Sequence, residues 1–165
     1  MRAIDLGCGD MRTGKRVCHL FAPYVGVDIV KDLIEHHQKS SATDDFTFEH
    51  RNIIDDELPS GDICLIRQIL QHLSCEQILK KLPKLARYKF VFISEHLPKS
   101  DSSVIANLDI MHGGSVRLER NSGVFLTSPP FCLQEGSLKT VLEVEDHGDV
   151  IRTMLYRPSV STSIS

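Results

Sequence analysis

Short apolar runs rich in β-branched and aromatic residues alternate along the chain with stretches in which apolar residues recur every three or four positions. The short runs predict strands, because such residues fit a pleated, half-buried surface. The longer stretches predict amphipathic helices. Strands that alternate with helices are typical of an α/β fold with a parallel sheet and crossover helices. The predicted strands cover residues 2–6, 24–27, 46–50, 62–66 and 90–93.

Polar residues mark where two of the predicted helices begin. Asp10 can cap the first helix, and Ser74 with Gln77 forms a capping box for the third. The third helix extends to Leu85, and Pro83 should kink or split it. The residues expected on the inner faces are Val17, Leu20 and Phe21 in the first helix, Val30, Leu33, Ile34 and His37 in the second, and Ile78, Leu82 and Leu85 in the third.

The regular spacing stops after the fifth strand. Residues 97–137 are rich in glycine and proline, and an irregular segment of this length is usually functional, so we expect a lid or substrate loop. A poorly ordered insertion is the alternative. Two further β-type runs at 140–144 and 150–156 predict a closing hairpin. The expected fold is therefore a Rossmann-like three-layer α/β/α sandwich, with a mostly parallel seven-stranded sheet and an antiparallel C-terminal hairpin strand.

Composition limits the possible functions only broadly. The 165 residues carry a formal net charge of -3, which disfavours nucleic acid as a partner. One domain over 1–158 and a flexible tail over 159–165 are expected. No apolar stretch reaches the roughly 20 residues of a membrane span, and the N-terminus enters a strand at once, so we expect no membrane association and no signal peptide.

The five cysteines are odd in number and include no closely spaced pair. We therefore expect reduced, structural cysteines in a cytoplasmic protein, with Cys64 buried inside its apolar run. No spacing of His, Cys, Asp or Glu suggests a metal site. The oligomeric state cannot be predicted from these features.

The sharpest local signal is a strand that ends in Gly-x-Gly and is followed by a helix. It comprises Asp5, Gly7, Cys8, Gly9 and Asp10. Glycines allow the backbone to turn tightly and a ligand to approach closely, at the sheet edge where open α/β folds bind ligands. Asp5 and Asp10 are candidates to contact the amino-acid end of a ligand.

Asp28 ends the next strand, where a carboxylate can accept hydrogen bonds from both hydroxyls of a ribose. A dinucleotide site would require glycine or alanine at the position of Arg12, and is disfavoured. A phosphate loop would require a Gly-Lys-Ser/Thr sequence, which is absent. An S-adenosylmethionine site has no phosphate to bind and fits the pattern better.

These motifs resemble those of the class I S-adenosylmethionine-dependent methyltransferases. The first and second motifs of that family are similar to residues 4–10 and 24–29. A third stretch, residues 51–54 with Leu58 and Pro59, resembles the segment that contacts adenine. A fourth, residues 62–73, resembles the strand and turn beside the transferred methyl group. The resemblance covers about residues 2 to 95 and the closing hairpin.

The resemblance implies roles for individual residues. Gly7, Cys8 and Gly9 would pack against the methionine part of the ligand. Asp28 would hold the ribose, and Ile29 would lie on the adenine. The remaining contacts that it implies are Asn52 and Ile53 near the adenine, and Arg67 and Gln68 nearest the sulfonium and the acceptor.

The sequence departs from the family pattern at three positions. Met11 stands where a glycine often completes the first motif, Asn52 where an acid often contacts adenine, and Gln68 where relatives carry a carboxylate. The chain also begins at the first strand, without the N-terminal helices that often cover the cofactor.

Candidates for the catalytic site follow from the strand ends. Arg67 could bind an acidic acceptor or form an ion pair at the end of its strand. His96 ends the fifth strand and His112 lies in the expected lid, so either could act as a base. His72 is expected to pack or cap. His36 and His37 are interpreted as solvent-facing residues of a surface helix.

The leading hypothesis is a methyltransferase that transfers a methyl group from S-adenosyl-L-methionine to a small-molecule acceptor and releases S-adenosyl-L-homocysteine. The alternative is a non-catalytic domain of the same fold that binds the cofactor or a partner. A nicotinamide-dependent oxidoreductase is a third class, disfavoured by Arg12.

Overall fold

A computed structural model describes residues 1–99 and 103–158. Seven strands form one sheet, in which five parallel strands are extended by an antiparallel hairpin. The strands of this sheet, in spatial order, are β3 (Phe46–His50), β2 (Tyr24–Asp28), β1 (Ala3–Leu6), β4 (Ile63–Arg67), β5 (Phe90–Leu97), β9 (Asp149–Tyr156) and β8 (Leu138–Asp146). The expected α/β fold with an antiparallel C-terminal hairpin is confirmed. The tail predicted at 159–165 lies outside the described residues.

The third predicted helix is confirmed, together with its capping box. Helix α3 (Cys75–Lys81) begins after Ser74, whose side chain accepts a hydrogen bond from the backbone N–H of Gln77. The Gln77 side chain in turn accepts one from the backbone N–H of Ser74. The helix ends before Pro83, and a 3-10 turn over Leu82–Arg87 continues it. Pro83 therefore splits the segment, as its missing N–H requires.

The first predicted helix is much shorter than expected. Helix α1 (Gly14–Val17) starts four residues after Asp10, so the expected cap is wrong. The intervening Met11 has a φ of 62°, a left-handed conformation that no α-helix continues through. Leu20, an expected inner position, is exposed.

Helix α2 (Lys31–Ser40) packs Ile34 and His37 against the sheet. Its side of the sheet carries an apolar cluster with Ile34 and Phe48. The opposite side carries a larger cluster that includes Ile78 of α3. Apolar layers on both faces are the reason that the central strands β1 and β2 read as nearly continuous apolar runs.

The segment expected to be an irregular loop is in large part anchored. Its residues 103–137 contain two short paired strands, β6 (Ile105–Ala106) and β7 (Ser122–Gly123), and a 3-10 turn over Arg117–Arg120. Several of its side chains are buried: Asn107, Arg117, Ser122, Val124, Leu126 and Phe131. The absence of regular structure was therefore wrongly predicted, and a lid function stays a prediction.

The five cysteines carry no disulfide, and Cys64 is fully buried as expected. None of the helices formed by residues 1–99 and 103–158 has the length and apolarity that crossing a bilayer requires.

Candidate functional site

The turn after β1 is held in place by the end of β2. Gly7 and Gly9 both have positive φ, 72° and 53°, which a side chain would disfavour. The backbone N–H groups of Gly7 and Cys8 both donate to the carbonyl of Val27, at 2.8 and 3.0 Å. These bonds bring the first two strand ends together at one edge of the sheet.

Asp28 completes this connection through its side chain. Its Oδ2 accepts a hydrogen bond from the backbone N–H of Gly9 and its Oδ1 accepts one from Val30, each at 3.0 Å. The carboxylate therefore lies against the glycine turn, although it belongs to the neighbouring strand. A carboxylate has about four acceptor positions, so about two remain for a ligand.

His37 also holds the turn, which corrects the prediction that it faces solvent. Its ring stacks on Phe48 with centroids 4.9 Å apart, and its Nε2 donates to the carbonyl of Gly9 at 2.9 Å. The side chain is 3% exposed, whereas its neighbour His36 is exposed as expected. The helical spacing, which put His37 on the inner face, was the better signal.

Two hollows meet at Gly7. The first, called here the Asp28 hollow, has a volume of about 160 Å³ and contains Asp28, Ile29, Asn52, Ile53 and His112 among its lining residues. The second, called the Arg67 hollow, has a volume of about 390 Å³, and Cys8, Asp10, Arg67 and Gln68 are among the residues that line it. Gly7 lines both, so the two hollows are neighbours along the strand ends, and together they are called the trough.

Asp5 does not reach either hollow. It is fully buried beneath the turn, where its Oδ2 accepts hydrogen bonds from the Tyr24 hydroxyl and from Nη2 of Arg67, the latter at 2.5 Å. Burial raises the pKa of the Asp5 carboxyl, and the neighbouring Arg67 opposes that rise. The expectation that Asp5 contacts the ligand directly is wrong, because the side chain is fully buried and its charged partner is Arg67.

Arg67 was predicted either to bind an acidic acceptor or to form an ion pair at the end of its strand. It forms the expected ion pair at the end of β4, and it also lines the Arg67 hollow. Its Nε and Nη1 are buried and have no hydrogen-bond partner among the described residues. These two donors are enclosed, so a ligand in the hollow would reach them only if the Arg67 side chain moved.

The other predicted contacts divide between the two hollows. In the Asp28 hollow, Asn52 uses its Oδ1 to accept from the N–H of Ile54 at 2.9 Å and its Nδ2 to donate to Asp55. In the Arg67 hollow, Asp10 pairs with Arg12 at 2.8 Å, and the hydrogen bonds from Arg12 lower the pKa of the Asp10 carboxyl. Both residues border the trough while satisfying much of their own polarity.

Three of the four catalytic candidates border the trough. Arg67 and Gln68 line the Arg67 hollow, and His112 lines the Asp28 hollow. His96 is not among the residues that line either hollow: it lies 3.8 Å from Asp146 of β8 and faces the hairpin. The structure therefore gives no support to the predicted base role of His96.

The position of Met11 accounts for one departure from the expected motif. Its backbone keeps the left-handed conformation that a glycine would supply. Its side chain is fully buried and fills the space beside Gly14, so that a Cβ at position 14 would overlap the Met11 side chain. The motif therefore keeps its backbone path, and a buried side chain offsets the conformational cost.

Sequence reasoning missed two buried charged residues behind the Asp28 hollow, Glu95 and Arg117, which are both 0% exposed. Neither lies in a motif, and their partners are backbone groups distant in sequence. Only the position of Glu95, inside an apolar strand, could have drawn attention to it.

No family model and no curated protein sequence matches the chain. Solved structures do. The N-terminal domain of EvdMO1, solved with S-adenosylhomocysteine bound, matches with a TM-score of 0.66 and 14% identity, over 96% of this chain and 75% of that one. Human N-acetylserotonin methyltransferase in complex with S-adenosylmethionine matches with a TM-score of 0.65 and 12% identity, over 96% of this chain.

The [4+2]-cyclase SpnF matches with a TM-score of 0.62 and 11% identity, over 96% of this chain and 76% of that one. This chain spans 48% of the human methyltransferase, about half of its length. These structural matches extend over nearly the whole chain and establish a shared fold, and their low sequence identities establish nothing further.

Proposed function

Because the chain has the fold of class I S-adenosylmethionine-dependent methyltransferases, we propose that it binds S-adenosylmethionine in the trough and transfers the methyl group to a small molecule. The adenosyl half would occupy the Asp28 hollow, and the methionine half the Arg67 hollow. The acceptor would enter beside Arg67 and Gln68.

One observation carries the proposal: Gly7 of the glycine turn and the carboxylate of Asp28 from the next strand line one hollow. The residues fit an adenosyl ligand. Nothing lies within 4 Å of the position that a Cβ would take at Gly9, so the turn leaves open space beside its backbone. Asp28 keeps acceptor capacity for two ribose hydroxyls, and Ile29 and Ile53 offer apolar surface for a base.

The chain's own residues would bind and orient the reactants rather than remove a proton. Bound S-adenosylmethionine would supply an electrophilic methyl group on a positively charged sulfur. Among the described residues that line the Arg67 hollow, Asp10 is the only carboxylate, and it is paired with Arg12. Positioning and exclusion of water are therefore the contributions expected from this protein.

Arg67 lines the hollow with a guanidinium group, which suits a carboxylate. The amino-acid end of the cofactor supplies one, and an acidic acceptor would supply another. The volume of the Arg67 hollow, about 390 Å³, lies in the range of small-molecule sites. A cytoplasmic location is part of the proposal and agrees with five cysteines that carry no disulfide.

Two titrations test cofactor binding. Isothermal calorimetry should detect binding of S-adenosylhomocysteine to the purified chain, and NAD, titrated under the same conditions, should give no heat of binding. Binding of NAD in preference to S-adenosylhomocysteine, or of neither ligand, would overturn the proposal.

A second candidate function is catalysis without methyl transfer, favoured by the match to a [4+2]-cyclase. The two candidates separate by product analysis. Incubation with S-adenosylmethionine and a pool of small-molecule acceptors should release S-adenosylhomocysteine if the chain is a methyltransferase. Tight cofactor binding without any such release across the acceptor pool would argue against methyl transfer and leave two alternatives, the second candidate and a non-catalytic cofactor-binding domain.

A further inference from the structure

One wall of the Asp28 hollow is a turn whose backbone is bound from two sides by fully buried charges. The turn covers residues 69–73, and its Ile69, His72 and Leu73 line the hollow. Glu95 of β5 lies on one side and Arg117 on the other, and both are 0% exposed.

Glu95 binds the N–H groups of the turn. Its Oε1 accepts from the backbone N–H of Leu70 at 2.9 Å, and its Oε2 accepts from that of Gln71 at 3.0 Å. The two carboxylate oxygens therefore accept hydrogen bonds from two consecutive peptide N–H groups, one each. The geometry requires an acceptor at both positions, which a carboxylate supplies and an amide side chain does not.

Arg117 binds the carbonyl groups of the same turn. Its guanidinium donates to the carbonyl oxygens of Leu70 at 3.1 Å, Gln71 at 3.3 Å and Leu73 at 2.8 Å. Its Nε also donates to the carbonyl of Leu108, at 2.8 Å. The planar fork reaches carbonyls in two segments, which the single nitrogen of a lysine could not do.

Leu70 and Gln71 are therefore bound at both ends of their polar backbone. Their N–H groups point to the negative charge and their carbonyl groups to the positive charge, so the charges and the peptide dipoles favour one orientation of the turn. Burying two charges is costly, and apolar side chains of similar size would serve packing at least as well. Burial raises the pKa of Glu95 to about 7, which reflects this cost.

We propose that Glu95 and Arg117 are positioning residues for ligand binding, which hold Ile69, His72 and Leu73 at the wall of the Asp28 hollow. The inference rests on the proposed function, because it assigns the adenosyl half of the ligand to that hollow. Arg117 belongs to the segment 103–137, so the same contact joins this segment to the site.

The principal test is Glu95→Gln, which keeps the size of the side chain but presents a donor to one of the two N–H groups. The probes are S-adenosylhomocysteine and 5′-methylthioadenosine, which lacks the amino-acid end. The matched control is Tyr88→Phe, since Tyr88 is also buried and donates to a backbone carbonyl, that of Pro59 at 2.7 Å, but lines neither hollow. Thermal melting reports the stability of each variant.

At about pH 8.5, where the wild-type Glu95 carboxyl with its pKa of about 7 is ionised, we expect Glu95→Gln to weaken both probes measurably. The loss should be at most about a hundredfold, because ligand binding must then order a turn that has lost one hydrogen bond to a charged group. The two probes should weaken by the same factor, since the turn does not line the Arg67 hollow. Tyr88→Phe should lose stability and keep wild-type affinity. Unchanged affinity in Glu95→Gln, or an equal loss in Tyr88→Phe, would overturn the inference.

Two further measurements test the inference if Glu95→Gln does not fold. Arg117→Lys keeps the charge and should weaken both probes as well. In the wild type, the amide NMR signals of Leu70 and Gln71 should lie downfield, as expected for N–H groups bound to a carboxylate, and should shift on addition of S-adenosylhomocysteine. Signals that do not move when the ligand binds would overturn the inference. A wild type that binds neither probe would instead refute the proposed function.

Discussion

Removal of the Asp28 side chain should weaken cofactor binding and also lower the stability of the fold. The two oxygens of Asp28 each accept one backbone N–H, from Gly9 and Val30, and face the hollow with their remaining acceptor positions. In Asp28→Ala the ligand loses hydrogen bonds to a charged group, which weakens binding by about 1–3 kcal/mol and raises Kd by about five- to 150-fold.

The same substitution leaves the N–H groups of Gly9 and Val30 without their acceptor. We expect the free energy of unfolding to fall by about 1–3 kcal/mol for this reason. Asp62→Ala is the matched control: Asp62 also accepts a backbone N–H at a strand end, that of Arg2 at 3.0 Å, but lies at the opposite edge of the sheet. It should lose stability and keep affinity.

Titration calorimetry with S-adenosylhomocysteine measures the affinity, and urea denaturation measures the stability. Asp28→Asn retains one acceptor oxygen and should fall between wild type and Asp28→Ala. If Asp28→Ala binds the ligand within about twofold of wild type, the assignment of this carboxylate to the ribose is wrong.

Three other perturbations have clear expected outcomes. Burial raises the pKa of Glu95 from 4.5 to about 7, so the folded state holds this proton more tightly than the unfolded state does. Relative to Glu95→Gln, the wild type should therefore lose roughly 3 kcal/mol of unfolding free energy as the pH rises from 4.5 to 7. Urea denaturation at a series of pH values measures this loss, and an equal pH dependence in the two proteins would contradict it. Gly7→Ala should abolish binding and lower the Tm, because φ is 72° and the added Cβ would overlap Ile69; calorimetry that shows wild-type affinity would disprove this. Met11→Gly relieves a φ of 62° but removes a fully buried side chain next to Gly14, so the unfolding free energy should fall by about 1–4 kcal/mol, and a gain in urea resistance would refute the expectation.

The strand pattern could be predicted closely because it depends on local composition. Strand β3 has the predicted bounds, β1 and β2 differ from prediction by one residue at one end, and β4 differs by one residue at each end. Strand β5 runs four residues beyond its predicted end at position 93. The capping box at Ser74 was equally readable, since both of its partners lie within one turn of helix. The hollow lined by Gly7 and Asp28 was predicted from the glycine turn after the first strand and the carboxylate that ends the second.

Features that depend on distant partners could not be predicted. The first helix fails to start at Asp10 because Met11 turns the backbone the other way, and no propensity argument assigns a left-handed conformation to methionine. Glu95 and Arg117 are separated along the chain and meet only through the backbone of a third segment. His37 was misread because its partner, the carbonyl of Gly9, is in another element.

The most direct measurement is a crystal structure of the chain with S-adenosylhomocysteine bound. We expect the ribose hydroxyls within hydrogen-bond distance of the Asp28 carboxylate, the adenine between Ile29 and Ile53, and the amino-acid end beside Cys8 and Arg67. A ligand found away from the trough, or one that lies in it with the ribose turned away from Asp28, would contradict the account.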